Sequence, residues 1–117
     1  MPYVDGFLVP VPKAKLEAYK EMARLGSEVW KEYGALSYVE CVGDDILYGE
    51  LTSFPRAVQA TDDETVIFSW ITYENRAQRD EICAKVMQDP RLAGEEWKEI
   101  FDGRRMIYGG FEAFLTS

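Results

Sequence analysis

A segment that alternates like a strand, then a stretch with helical periodicity, then a returning strand: the chain spells out this order twice, with Gly, Pro or Asn at the joints. Two such units predict a two-layer α+β domain, with helices on one face of a sheet and the other face left for a partner to cover. Tyr3 to Val11 is β-branched and aromatic, and Pro10 and Pro12 close it, Pro12 being suited to a first helical turn. Leu16, Tyr19, Ala23, Trp30 and Tyr33 then recur at helical spacing, with Gly26 on the same stripe, and Gly34 supplies a left-handed cap.

Leu36 to Val42 alternates as a second strand and ends at Gly43-Asp44-Asp45. Residues 44–64 are long for a connection and too apolar to hang in water, with Ile46, Leu47, Tyr48, Leu51, Phe54 and Val58, so an insertion arm or short hairpin covering some surface is expected. Val66 to Tyr73 is apolar on both parities, the pattern of a central strand. Asn75, with Gln78 three residues on, starts a helix in a capping-box arrangement, and the Asp89-Pro90 step ends it. Glu95 to Phe101 offers further helical turns, Asp102-Gly103 a turn, and Arg105 to Leu115 a last strand in which Gly109-Gly110 permits a bulge or a close backbone approach. The order strand, helix, strand, strand, helix, strand, closed by right-handed crossovers, is a ferredoxin-like βαββαβ antiparallel sheet with both helices on one face. With 117 residues there is room for one such domain, spanning residues 1–117.

Charge and composition narrow the function. A net charge of −8 opposes broad binding to phosphates, so nucleic acid is not an expected partner. No stretch approaches the roughly 20 apolar residues of a membrane span, and the first residues lack the basic and apolar regions of a secretory signal. Cys41 and Cys83 make no disulfide framework, which points to a reducing, cytoplasmic setting. Histidine is absent, which removes the usual neutral-pH base, the Ser-His and Cys-His pairs, and the commonest zinc and haem ligand. No cofactor and no metal is expected; Glu40, Asp44 and Asp45 match no calcium-loop spacing.

The blocks YVDGFLVPVP, RAVQATDDETVIFSWITYENRAQRDE and FDGRRMIYGGFE resemble the YbaA-like family of small bacterial proteins, domain of unknown function 1428, over nearly the whole chain. The resemblance implies the dimeric α+β barrel superfamily, in which two ferredoxin-like sheets face each other around a shared barrel. It implies no catalytic residue. Related barrels include cofactor-independent monooxygenases, lactone isomerases and haem-degrading enzymes, an analogy of fold alone.

Strand parity sorts side chains into two faces. Giving the helices the set Val4, Gly6, Leu8 with Ser37, Val39, Cys41 leaves Asp5, Tyr38, Glu40, Tyr108 and Glu112 together on the barrel face. That set, with Arg56, Trp70 and Arg105, is the candidate binding site. Its carboxylates and phenols could supply a general acid or base or bind a cation; alternatively they reach solvent or form structural ion pairs with Arg56, Arg104 or Arg105. Both cysteines read as small buried hydrophobes, and Trp30 and Trp70 as core or as platforms for a flat ligand. An uncovered sheet would expose Phe7, Leu36, Tyr38, Met106, Tyr108 and Phe114, so a homodimer is expected. The reading that follows is a homodimeric small-molecule-binding protein, with or without histidine-independent catalysis. A different class is a non-catalytic regulatory protein whose acidic surface meets a basic partner.

Overall fold

The computed structural model describes residues 1–117. Strand β1 (Tyr3–Pro12) passes through a short 3₁₀ turn into α1 (Leu16–Glu32), and β2 (Ser37–Val42) follows Gly34, whose φ of 116° needs a residue without a Cβ. The arm contains one four-residue helix, α2 (Phe54–Ala57), before β3 (Glu64–Tyr73). Helix α3 (Arg76–Met87) starts where the Asn75 side chain accepts from the Gln78 amide, and two 3₁₀ turns lead to β4 (Ile107–Glu112). The four strands lie in the order β2-β3-β1-β4, every neighbour antiparallel. This is the ferredoxin-like sheet the element order predicts, with β3 and β1 central. No helix is long and apolar enough to cross a membrane.

Both long helices lie on one face. Val29 of α1 and Ile82 and Val86 of α3 pack on Ile71 and Tyr73, while Tyr19 of α1 packs on Val9, Val11 and Ile67. These strand residues share the parity of Asp5, Phe7, Tyr38, Glu40, Tyr108 and Glu112. The face assignment made from the first residues of each strand is therefore reversed: the helices cover the side that holds the carboxylates, and Val4, Gly6, Leu8, Val39 and Cys41 lie on the other. The reason is in the second half of β1, where Val9 and Val11 are buried and continue the parity of Asp5. Asp5 and Glu40 are tolerated beneath helices because Arg79, Tyr73, Tyr19 and Tyr38 reach them.

Two alternatives that the sequence leaves open are decided. β4 pairs with β1 without a bulge; Gly110 instead serves the close approach, since a Cβ there would collide with the Tyr3 hydroxyl and the Arg79 guanidinium. The arm forms no hairpin. It runs extended, turns at Gly49 (φ 71°) and docks through α2, whose N-terminus is capped by Ser53 Oγ accepting from the Arg56 amide at 3.2 Å.

Candidate functional site

Glu40 and its two phenols form the most unusual polar group in the molecule. The Tyr19 hydroxyl donates to Glu40 Oε1 at 2.6 Å and the Tyr38 hydroxyl to Oε2 at 3.0 Å. Tyr38 reaches this point because Gly26 leaves room on α1; a Cβ there would stand 2.9 Å from the Tyr38 hydroxyl. Burial pushes the Glu40 carboxyl above the usual carboxylate range, against the opposing effect of the two phenol hydrogen bonds. Burial, followed by the nearby Glu40 charge, raises both phenols, so they remain donors throughout the neutral range.

The cluster borders a cleft of about 330 Å³ between α1 and β2, whose apolar wall includes Leu16, Tyr19, Ala23 and Ile67. Lys20, Arg24 and Ser27 also line it. Lys20 pairs with Glu17 at 3.4 Å and Arg24 with Glu21, both along α1. Glu40 has no ion-pair partner within 4.0 Å. A cleft with apolar walls and a few converging polar groups is the usual form of a small-molecule site.

Asp5 is held differently. Arg79 Nε donates to Asp5 Oδ1 at 3.0 Å, the Tyr73 hydroxyl donates to Oδ2 at 2.9 Å, and Trp30 Nε1 donates to the Tyr73 oxygen at 3.2 Å. Cys83 stands 3.7 Å from that hydroxyl, its thiol pushed up chiefly by burial. Every charge here has its partner, and the network ties β1 and β3 to both long helices.

The opposite face of the sheet is uncharged. Val4, Gly6 and Leu8, their neighbours Phe68, Trp70 and Thr72, and the edge residues Ile107, Gly109 and Phe111 surround a shallow concavity of about 860 Å³. Gly6 and Gly109, paired across β1 and β4, leave room over which the Phe111 ring lies, at contact distance from where either Cβ would stand. Phe111 is 65 % exposed and Phe68 45 %. The arm closes one end, with the Phe54 ring edge-on to Phe68 at 5.9 Å. Arg56 holds the arm in shape by donating to the Tyr48 and Gly49 carbonyl oxygens at 2.9 and 3.0 Å, its guanidinium lying over the Tyr48 ring.

The sequence profile of a family described as "Protein of unknown function (DUF1428)" matches residues 2–103. The chain belongs to the DUF1428 family. It is 48 % identical over 115 residues, 98 % of each chain, to the uncharacterized protein YbaA of Escherichia coli K12, and equally to YbaA of Shigella flexneri. Among solved structures this DUF1428 chain is similar to a putative antibiotic biosynthesis monooxygenase from Nitrosomonas europaea, with TM-score 0.58 and 19 % identity over 97 % of this chain and 90 % of that one. It is also similar to the Rv0793 protein of Mycobacterium tuberculosis, with TM-score 0.56 and 13 % identity over 100 % of this chain and 99 % of that one. These likenesses show the fold alone.

Of the residues singled out in the DUF1428 sequence, the structure brings Tyr38 and Glu40 together. Asp5, Tyr108 and Glu112 share their sheet face but not their place: β2 and β4 are opposite edges, three strand spacings or about 14 Å apart. Tyr108 stacks on Phe7 at a centroid distance of 6.2 Å. Arg56 lies in the arm, away from Glu40, and Arg105 forms a bidentate pair with Glu64 at 2.8 and 2.7 Å, tying β4 to the start of β3. Trp70 lies on the uncharged face. Cys41 is exposed on that same face, not buried, because it sits on an edge strand on the side without helices. Tyr19 escaped notice as a site residue. Its signal was a hydroxyl on an otherwise apolar helical stripe, which must find an acceptor when buried.

Proposed function

We propose that this protein is a homodimeric small-molecule-binding protein in which two copies pair through their uncharged sheet faces and each carries a ligand site in the α1–β2 cleft. The observation that carries the reading is Glu40, a half-buried carboxylate that faces an open cleft, accepts from two phenols and has no ion-pair partner of its own. A carboxylate held only by neutral donors, raised in proton affinity by burial and facing a cleft is the kind of group a ligand site uses. Proton transfer by Glu40 is the histidine-independent chemistry that such a cleft supports, its proton affinity being raised by burial.

Charge and size support a second copy as the occupant of the open face. Two chains of net charge −8 repel each other, and a concavity lined by no charged side chain, as this one is, adds no like charge at the contact. A four-strand sheet face of about 400–600 Å² in plan, extended by the arm, approaches the roughly 800 Å² per partner of a standard interface. The solved protein titled as a monooxygenase supports ligand binding only by its fold. Cys41 and Cys83 as free thiols fit a reducing cytoplasm, which belongs to the same proposal.

Thermal shifts against a metabolite panel test the cleft. A compound that stabilises the wild type should fail to stabilise Ala23→Phe, whose ring fills the cleft; equal stabilisation of both would place the ligand elsewhere. The regulatory reading has one observation behind it, the exposure of Leu47 and Leu51 beside Asp44, Asp45 and Glu50 in the arm. If the arm serves the dimer, Leu51→Lys weakens self-association. If it serves another partner, self-association is unchanged.

A further inference from the structure

Which chemistry the cleft accepts follows from what its polar end lacks. Resting on the cleft as the ligand site, we infer that it takes an organic cation: an amine whose ammonium group meets Glu40 and whose apolar body lies along Leu16, Ala23 and Ile67. Both phenols spend their protons on the carboxylate, Tyr19 on Oε1 and Tyr38 on Oε2. What they leave facing a ligand is acceptor capacity alone, the remaining lone pairs of Glu40 and of two phenol oxygens. A group that only donates, and that carries the missing charge, complements this end; a carboxylate or phosphate would meet a like charge.

On the helix flank Lys20 and Arg24 stand in exposed pairs with Glu17 and Glu21, and neither comes within 4.0 Å of Glu40, so the carboxylate's own charge is left unmatched. The net charge of −8 draws cations to the surface and repels anions. Space for about 330 Å³ admits an amine the size of one aromatic ring with a short chain.

Three probes that share a carbon skeleton test the inference: 2-phenylethylamine, 2-phenylethanol and phenylacetate, titrated at neutral pH while the amide resonances of Tyr19, Ala23 and Glu40 are followed by NMR. The amine should bind roughly ten-fold or more tightly than the alcohol, the gain of a hydrogen bond to a charged group, and phenylacetate should not shift these resonances. In Glu40→Gln the gap between amine and alcohol should close. If the alcohol or phenylacetate binds as well as the amine, or if the amine binds Glu40→Gln as tightly as wild type, the cation assignment fails while the cleft stands as a site. If none of the three moves a cleft resonance, the cleft reading fails and the inference with it. The wild-type comparison decides even if the variant does not fold.

Discussion

Glu40 and Asp5 show how two carboxylates on one sheet face come to opposite roles. Asp5 is fully matched by Arg79 and Tyr73; Glu40 is stabilised by neutral donors and left short of a charge. Removing the Asp5 carboxylate strands Arg79, whose side chain is 23 % exposed and also reaches Asp80. Asp5→Ala should therefore cost about 3 kcal/mol, the low end for breaking a buried pair, as read from urea unfolding. Glu40 behaves otherwise. Its folded-state pKa is raised, so the folded protein binds this proton more tightly than the unfolded chain does; that contribution is fully present below the unfolded value of about 4.3 and is lost as pH rises through the folded value. Glu40→Gln does not ionise. Its stability relative to wild type should improve between pH 3.5 and pH 7, and a difference that is flat or falls with pH would show that burial does not dominate at this carboxylate.

At the level of elements, the approach of α1 to β2 builds the cleft, and Gly26 controls it. Gly26→Ala gains about 1 kcal/mol of helix propensity. Against this, the new Cβ would lie 2.9 Å from the Tyr38 hydroxyl and displace it from Glu40, a hydrogen bond to a charged group that is worth roughly 1.5–3 kcal/mol. The loss outweighs the gain, so the variant should be less stable by about 1 kcal/mol in urea unfolding. Stabilisation would mean that Tyr38 moves aside freely. The turn at Gly34 and the Asn75 cap belong to the part of the chain that local sequence states plainly, since each depends on neighbours within a few residues. The arm was harder to read, because α2 has only four residues and depends on Phe68 and Ser53 more than on any helical period.

For the whole molecule, the uncharged sheet face and the surface charge point to the same assembly. Phe111→Glu places a carboxylate on the β4 side of the proposed apolar contact without touching the helix-side core. In a light-scattering measurement at micromolar concentration, wild type should appear at twice its 13.4 kDa mass and Phe111→Glu at 13.4 kDa with unchanged secondary structure. A wild type that is monomeric, or a variant that remains dimeric, would remove the sheet face from the interface. The expected interface patch also changes in membership: Phe7, Tyr38 and Met106 lie under the helices, and Phe68, Trp70, Ile107 and Phe111 take their place.

Element order, and with it the ferredoxin-like topology, is legible in the amino acids alone, because periodicity, caps and turns are local and each strand's alternation survives any tertiary arrangement. The amino acids alone also determined which residues share a face. Only the tertiary structure decided which face the helices cover, since parity divides a strand into two sets without naming them, and β3 is apolar on both. That choice was made by contacts far apart in the chain: Asp5 with Arg79, 74 residues on, and Tyr19 with Glu40, 21 residues on. A buried carboxylate is stable only where such partners converge, and convergence is a property of the folded chain.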